Sequence, residues 1–100
     1  MRDGMELKNR VALVTGGSGG IGSAACLAFA REGAAVAVHC LDARERAGEV
    51  VRAIEALGGR AVAVQGDISD VRDVERIMEE VSTFSQIGRA SCRERVYVLV

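Results

Sequence analysis

The 100-residue sequence predicts an α/β fold, a doubly wound parallel sheet with helices on both faces. Short, continuously apolar segments alternate with longer segments whose apolar residues recur at intervals of three and four. This alternation is typical of buried strands followed by helices. The connections are short, and right-handed crossovers turn the order β-α-β-α-β-α into neighbouring parallel strands.

The segment boundaries follow from local signals. Strands are predicted at 11–14, 34–39 and 61–65, and helices at 21–33, 43–59 and 69–84. Gly33 suits the C-terminal cap of the first helix, and Gly58 with Gly59 ends the second. Asp70 and Asp73 suit the first turn of the third helix, where carboxylates meet free N–H groups and the positive end of the helix dipole.

The second and third helices each carry an apolar face, which we expect to pack on the sheet. In the second helix this face consists of Ala47, Val50, Ile54 and Leu57. In the third helix it consists of Val71, Val74, Ile77, Met78, Val81 and Phe84.

Composition and charge disfavour several classes of function. Hydrophobic residues make up 49% of the chain, and the net charge of −1 argues against electrostatic binding to nucleic acid or an anionic membrane. No apolar run approaches the roughly 18 residues of a membrane span, and the start lacks the apolar stretch of a signal peptide. The three cysteines have neither CxxC nor zinc spacing, so we predict no metal site. These features predict a cytoplasmic protein.

The turn between the first strand and the first helix is rich in glycine. It fits GxGxxG through Gly17, Gly19 and Gly22, and TGxxxGxG through Gly16, Gly20 and Gly22. Residues without Cβ allow a tight turn, a close approach of the backbone to a pyrophosphate, and close packing of helix on strand. The helix N-terminus adds free N–H groups and positive charge. The strand–turn–helix context favours a dinucleotide phosphate site over a flexible loop without a ligand.

Two motifs carry a resemblance to a known family. "VALVTGGSGGIG" and "GDISD" resemble the cofactor loop and the adenine-site motif of the short-chain dehydrogenases/reductases, and the similarity covers roughly residues 5–84. It implies a Rossmann-like fold, truncated in this chain, and an NAD(P)-dependent oxidoreductase that transfers hydride between nicotinamide and a carbonyl or alcohol carbon. Sugar-nucleotide epimerases and dehydratases prefer TGxxGxxG, which this chain does not match.

The resemblance also assigns cofactor-binding residues. They are Ser18, Gly19 and Ile21 for phosphate and ribose, Gly16 and Gly20 for close backbone approach, and Asp67 and Ile68 for adenine. An ordinary turn or cap role remains the alternative for Asp67.

The choice between NADP and NAD depends on the end of the second strand. Cys40 stands where an acid would bind the ribose 2′-OH and repel a 2′-phosphate, which leans the prediction towards NADP. The arginines that often mark NADP use are absent, since Gly19 and Leu41 occupy their places. Arg44 or Arg46 could reach a phosphate, although a solvated helix turn explains both residues equally well.

The family's catalytic pair has no counterpart in this chain. The resemblance calls for a serine and a Tyr-x-x-x-Lys pair, in which lysine lowers the pKa of the acid/base tyrosine. The only tyrosine is Tyr97 and the only lysine is Lys8, before the first strand. The "NNAG" segment expected after the fourth strand is absent too. We therefore assign no catalytic residue and expect the chain to be an inactive N-terminal fragment.

The C-terminal segment departs from the family after Phe84. "IGRASCRERV", at 87–96, resembles the translation of a common DNA-sequencing adapter, although a basic surface loop before an edge strand is an alternative. Our hypothesis is that genuine protein ends near Ser85. Truncation would leave the first strand as an edge, and the apolar, β-branched "VYVLV" at 96–100 could pair there as a fortuitous fourth strand.

The predicted organisation is a dinucleotide-binding Rossmann half-domain at 5–85 and a non-native tail at 86–100, with Met5 resembling a natural family start. The predicted partners are the dinucleotide and, in an intact parent, a small carbonyl or alcohol substrate. Homo-oligomer formation by that parent is left open, and neither nucleic acid nor membrane is expected as a partner. The alternative function is a non-catalytic nucleotide-binding module in a regulatory or scaffolding role.

Overall fold

The computed structural model describes residues 10–86 and 95–99. Its elements are β1 (Arg10–Val14), α1 (Gly20–Arg31), β2 (Ala35–Cys40), α2 (Arg44–Ala56), β3 (Ala61–Gln65), α3 (Val71–Gln86) and β4 (Arg95–Leu99). The strands form one sheet in the order β3-β2-β1-β4, and each neighbouring pair is parallel. This is the order of the first four strands of a Rossmann sheet, and the three strands with interleaved helices confirm the predicted α/β fold.

The central strands are buried on both faces, as their continuous apolar sequence predicts. Val14, Val36 and Val38 belong to a buried cluster that also contains Ala47 and Ile54 of α2. The second buried cluster lies on the opposite face of the sheet. It contains Val11, Leu13, Ala35, Ala37, Val64, Ile77 and Val81, of which the last two are in α3. Helices therefore cover both faces, and the core consists of two layers separated by the sheet.

Glycine ends the first two helices, as predicted. Gly33 and Gly58 lie just beyond the C-terminal caps of α1 and α2, with φ angles of +95° and +87°. A side chain strains this left-handed conformation, and glycine adopts it freely. The two turns direct the chain into β2 and β3.

The predicted apolar faces are correct in the middle of the helices and wrong at three positions. Ala47, Ile54, Ile77 and Val81 are buried, whereas Leu57 is 53%, Val71 72% and Met78 38% exposed. Leu57 is the C-cap of α2 and Val71 is the first residue of α3, so both lie at helix ends. Met78 follows Ile77 directly, so its side chain is rotated by about 100° around the helix axis from the buried side chain of Ile77.

A fourth strand is present one residue earlier than predicted, at Arg95–Leu99, and it pairs in parallel with β1. The pairing runs from Arg10 opposite Arg95 to Val14 opposite Leu99. It uses backbone N–H and C=O groups, which any apolar extended segment supplies equally well. Most of the adapter-like segment, residues 87–94, lies outside the described residues.

Candidate functional site

The loops that follow β1, β2 and β3 meet at the C-terminal edge of the parallel sheet. In open α/β sheets, ligands bind in the crevice outside this edge. The glycine-rich turn lies between β1 and α1, and the "GDISD" segment lies between β3 and α3. The fold thus places both sequence motifs at the edge where a nucleotide would lie.

The backbone itself requires two glycines, Gly16 in the loop after β1 and Gly22 in the first turn of α1. Gly16 has a φ angle of +68°, which a residue with a side chain adopts only under strain. A Cβ on Gly22 would overlap the carbonyl oxygen of Gly16 and lie 2.8 Å from Cα of Gly17. Gly17 is itself buried, and a Cβ there would lie 3.0 Å from the side chain of Val38. Gly17 and Gly22 were absent from the predicted site residues, although the GxGxxG spacing contains both.

Gly20 behaves differently from these glycines. It is exposed at the start of α1, and a Cβ added there would meet no protein atom within 4 Å. Gly19 is the N-cap residue, and Ile21 is 90% exposed. The missing Cβ of Gly20 therefore leaves open space beside the helix N-terminus, a cradle that a ligand could fill.

The N-terminus of α1 has the charge pattern of an anion site. No side chain caps the helix, and its first turn contains no acidic residue. The first turns of α2 and α3, by contrast, carry Glu45 and Asp73. An uncapped first turn presents free N–H groups and partial positive charge. Ser18 stands half-buried immediately before this turn.

Hydrogen bonds order the β3–α3 loop. Oδ1 of Asp67 accepts bonds from the N–H of Ser69 at 2.9 Å and from its hydroxyl at 2.6 Å. These two bonds, the hydroxyl bond first, lower the pKa of the Asp67 carboxyl below its usual value. Oδ1 of Asp70 accepts the N–H of Arg72 at 2.9 Å, as expected of an N-cap, and Oδ2 of Asp73 accepts the N–H of Asp67 at 2.8 Å. The exposed carboxylate of Asp67 therefore has a structural role through one of its two oxygens.

His39, at the end of β2, lies between the two loops. Its Nδ1 is 3.0 Å from the N–H of Gly16, and its Nε2 is 2.8 Å from the carbonyl of Gly66. Its own carbonyl accepts the N–H of Gly17 at 2.9 Å. His39 is not among the site residues predicted from the sequence. The available signal was that it is the one histidine of the chain and stands at the end of a buried strand.

Two depressions flank the β3–α3 loop. A pocket of about 200 Å³ is lined by Leu13, Thr15, His39, Ile68, Val74, Ile77 and Met78. A more polar and open cleft of about 470 Å³ includes Leu41, Arg44, Asp67 and Arg76 in its lining. Ile68, which is 51% exposed, thus lies beside an apolar surface of the kind that accepts a planar base.

The end of β2 presents Leu41 rather than Cys40 to solvent. Cys40 is 1% exposed, and its thiol points to the carbonyl of Val64 at 3.7 Å. Leu41 is 60% exposed, and the guanidinium of Arg44 lies 3.5 Å from Gln65. Arg46 is also exposed, on the first turns of α2.

The two described cysteines are buried thiols without the surroundings of a reactive cysteine. Burial raises the pKa of Cys26 to about 11, and it also raises the pKa of Cys40 above its usual value. Within residues 10–86 and 95–99, no cluster of three potential ligand side chains could hold a metal ion. No helix in the same part of the chain is long and apolar enough to cross a membrane.

A parallel sheet in this order, with a glycine turn before an uncapped helix, defines the nucleotide-binding class of α/β folds. The family model described as short chain dehydrogenase matches residues 10–89. The chain therefore belongs to the short-chain dehydrogenase family, as the two sequence motifs predict.

Three known proteins illustrate what this chain is similar to. Hydroxynaphthalene reductase arp2 of Aspergillus fumigatus is 46% identical over 77 residues, which are 77% of this chain and 28% of that protein. The short-chain dehydrogenase/reductase homolog YusS of Bacillus subtilis is 42% identical over 77 residues, 77% of this chain and 71% of YusS. The crystal structure of a short chain dehydrogenase from Burkholderia cenocepacia in complex with NADP has a TM-score of 0.75 and 44% identity. That alignment covers 80% of this chain and 33% of the Burkholderia chain.

Proposed function

We propose that this chain is the cofactor-binding N-terminal part of an NAD(P)-dependent oxidoreductase. The observation that carries the proposal is the N-terminus of α1, which follows the glycine turn and has neither a side-chain cap nor an acidic first turn. The pyrophosphate of a dinucleotide supplies the negative charge that this terminus lacks. The Burkholderia relative, 44% identical, was crystallised with NADP.

Each predicted residue then has a definite task. The backbone at Gly16 and Gly20 approaches the pyrophosphate, while Ser18, Gly19 and Ile21 contact phosphate and ribose. Gly22 packs against the backbone of Gly16 and Gly17 and so holds this loop at the start of α1. Asp67 offers the carboxylate oxygen outside its Ser69 pair to the adenine amino group, and Ile68 packs against the ring. The bound dinucleotide would supply the nicotinamide that carries hydride in an intact parent.

NADP is the preferred dinucleotide in this proposal. An acid at the end of β2 would repel the 2′-phosphate, and the chain has Cys40 there, with its thiol turned into the core. Arg44 lines the polar cleft beside Leu41 and stands within reach of that region. Arg44 or Arg46 would attract the 2′-phosphate, and position 40 holds no acid that would repel it.

Hydride transfer between nicotinamide and a carbonyl or alcohol carbon belongs to the intact parent in this proposal. The chain spans 28% and 33% of the lengths of the first two curated relatives. Its single tyrosine and single lysine cannot form Tyr-x-x-x-Lys. Binding without turnover is therefore the activity expected of these 100 residues.

A titration of the chain with NADPH and NADH tests the binding. We expect both to bind, NADPH more tightly, measured by the change in nicotinamide fluorescence. Ser18→Asp places a carboxylate before the helix N-terminus and should weaken both dinucleotides about tenfold, since like charges close together cost on the order of 1.4 kcal/mol or more. Ser18→Ala is the uncharged control: it loses only the contact of the Ser18 hydroxyl, so it should weaken both dinucleotides clearly less than Ser18→Asp does. A chain that is folded but binds neither dinucleotide would contradict the proposal.

The domain boundary is also part of the proposal: the native part of the given sequence extends to about Ser85, and residues 87–96 are a translated adapter. The family model ends at residue 89, three residues into the adapter-like segment. Amplifying the locus from source DNA should give a downstream sequence that lacks "IGRASCRERV" and continues towards a serine and Tyr-x-x-x-Lys. Uninterrupted genomic coding sequence for residues 87–96 would overturn this boundary.

The second candidate is a nucleotide-binding module without catalysis. It is favoured by the short relative YusS, because the 77 residues that match this chain make up 71% of YusS. The same amplified locus separates the candidates. A stop codon near residue 85 supports the module, whereas an open frame containing the catalytic residues supports the oxidoreductase.

A further inference from the structure

His39 is a buried polar side chain at the C-terminal end of the sheet. It is 4% exposed. Among the described residues, it is the one polar side chain in a core that is otherwise hydrophobic. A buried imidazole needs hydrogen-bond partners for both ring nitrogens, because a buried donor or acceptor without a partner costs free energy. Both nitrogens of His39 have backbone partners, and neither partner is in β2.

The two partners belong to the two loops of the candidate site. Gly16, 3.0 Å from Nδ1, begins the glycine turn, and Gly66, 2.8 Å from Nε2, begins the "GDISD" segment. The chain separations are 23 and 27 residues. One side chain therefore joins the loop before α1 to the loop before α3, across the end of the intervening strand.

The backbone groups determine which tautomer of the ring makes both bonds. The N–H of Gly16 can only donate, so Nδ1 must accept and carries no proton. The carbonyl of Gly66 can only accept, so Nε2 must carry the proton and donate it. Only the neutral Nε2–H tautomer makes both bonds.

The surrounding main chain makes the connection stiff. The carbonyl of His39 accepts the N–H of Gly17, next to Gly16, at 2.9 Å. The carbonyl of Cys40 accepts the N–H of Gly66 at 3.1 Å. A Cβ added to Gly66 would lie 2.8 Å from the guanidinium of Arg76 and 2.9 Å from Cδ1 of Ile77, so side chains of α3 pack closely against this residue. The backbone of β2 thus binds one loop on each of its two sides. The imidazole of His39 adds a side-chain connection between the same two loops.

We propose that His39 is a positioning residue of the dinucleotide site, which fixes the distance between the pyrophosphate loop and the adenine loop. This role rests on the proposed function, because it needs one ligand to contact both loops. The pyrophosphate would lie at the N-terminus of α1 and the adenine at Asp67 and Ile68. A dinucleotide spans the two loops only if their separation matches its length, and a shift of about 1 Å weakens a site built in this way.

Two conservative variants separate the two bonds. In His39→Asn, the amide oxygen stands about where Nδ1 stood and can accept the N–H of Gly16. The asparagine side chain is too short to reach the carbonyl of Gly66. In His39→Gln, the amide nitrogen stands about where Nε2 stood and can donate to Gly66, but nothing accepts from Gly16. His39→Leu removes both bonds and keeps an apolar side chain of moderate size.

The experiment uses the full chain, labelled with ¹⁵N and ¹³C, together with NADPH titrations. We expect the wild-type ring nitrogens to show the shifts of the Nε2–H tautomer. Exchange of the Gly16 amide with solvent should accelerate in His39→Gln and not in His39→Asn, while the Gly66 carbonyl resonance should move in His39→Asn more than in His39→Gln. His39→Asn and His39→Gln should each bind NADPH about tenfold more weakly at temperatures where they are fully folded, because one loop is no longer held at the separation that the ligand requires. His39→Leu, which frees both loops, should bind at least as weakly.

The outcomes separate positioning from packing. If the variants lose stability but bind NADPH with wild-type affinity when folded, His39 is a packing residue and the proposal is overturned. If Gly16 exchange is the same in both variants, the bond to Nδ1 does not exist in solution, and the proposal again fails. If the wild type binds neither dinucleotide, the proposed function fails, and unchanged tautomer and exchange results would then leave His39 as a structural cross-link only.

Discussion

Replacing Gly22 with alanine is expected to lower the free energy of unfolding by about 3 kcal/mol or more, at the upper end of overpacking costs. The added Cβ would overlap the carbonyl oxygen of Gly16 and crowd Cα of Gly17. These are backbone atoms, which cannot rotate away as a flexible side chain can. The first turn of α1 would have to move off the end of β1. Urea denaturation followed by circular dichroism measures the loss.

Gly20→Ala is the matched control on the same helix turn. Its Cβ would meet no protein atom within 4 Å, and alanine is the better helix former, so stability should be unchanged or raised by up to about 1 kcal/mol. Affinity for NADPH should nevertheless fall about tenfold, because the Cβ enters the space left for the pyrophosphate. Equal losses of stability in the two variants would contradict the division between a packing glycine and a ligand glycine. Full affinity in Gly20→Ala would remove Gly20 from the site.

Leu41→Asp is expected to reverse the dinucleotide preference. Leu41 is 60% exposed at the end of β2 and lines the polar cleft with Arg44, so a carboxylate there is tolerated by the fold. It would stand beside the 2′-phosphate of NADPH, and the repulsion should weaken NADPH about tenfold while changing NADH less than about threefold. The ratio of the two dissociation constants, measured by titration, is the readout.

Two further substitutions at this position test the electrostatic cause. Leu41→Asn has the size of aspartate without its charge and should keep the wild-type ratio, whereas Leu41→Arg should shift the ratio towards NADPH. The effect of Leu41→Asp should shrink at high salt, because exposed charges are screened. If Leu41→Asp and Leu41→Asn change the ratio equally, charge is not the cause and the 2′-phosphate does not lie near this residue.

The sequence was a good guide to elements whose cause is local. The continuous apolar runs of β1, β2 and β3 and the glycines after α1 and α2 are where the patterns predict them. These signals depend on the conformational preferences of neighbouring residues and on burial on both sides of the sheet. The predicted burial was wrong at Leu57 and Val71, which lie at helix ends. Which turns of a helix contact the sheet depends on the whole fold.

The glycine-rich turn shows where sequence reasoning about the site stopped. Spacing alone allowed two interpretations of the loop and gave Gly17 and Gly22 no individual task. The structure separates them, since Gly22 packs against the backbone of Gly16 and Gly17, while Gly20 faces open space. Both kinds of glycine look the same in a sequence, because the difference lies in what surrounds the absent Cβ.

The parallel α/β fold, the family and the two motifs that would meet a dinucleotide all follow from the order of the amino acids. How these motifs are joined becomes visible only in the folded chain. The tertiary structure turned Cys40 into the core and left Leu41 exposed, and it placed His39 between Gly16 and Gly66. The physical reason is that strands and glycine turns follow from local sequence, whereas a hydrogen bond between loops more than twenty residues apart requires that the whole sheet be assembled.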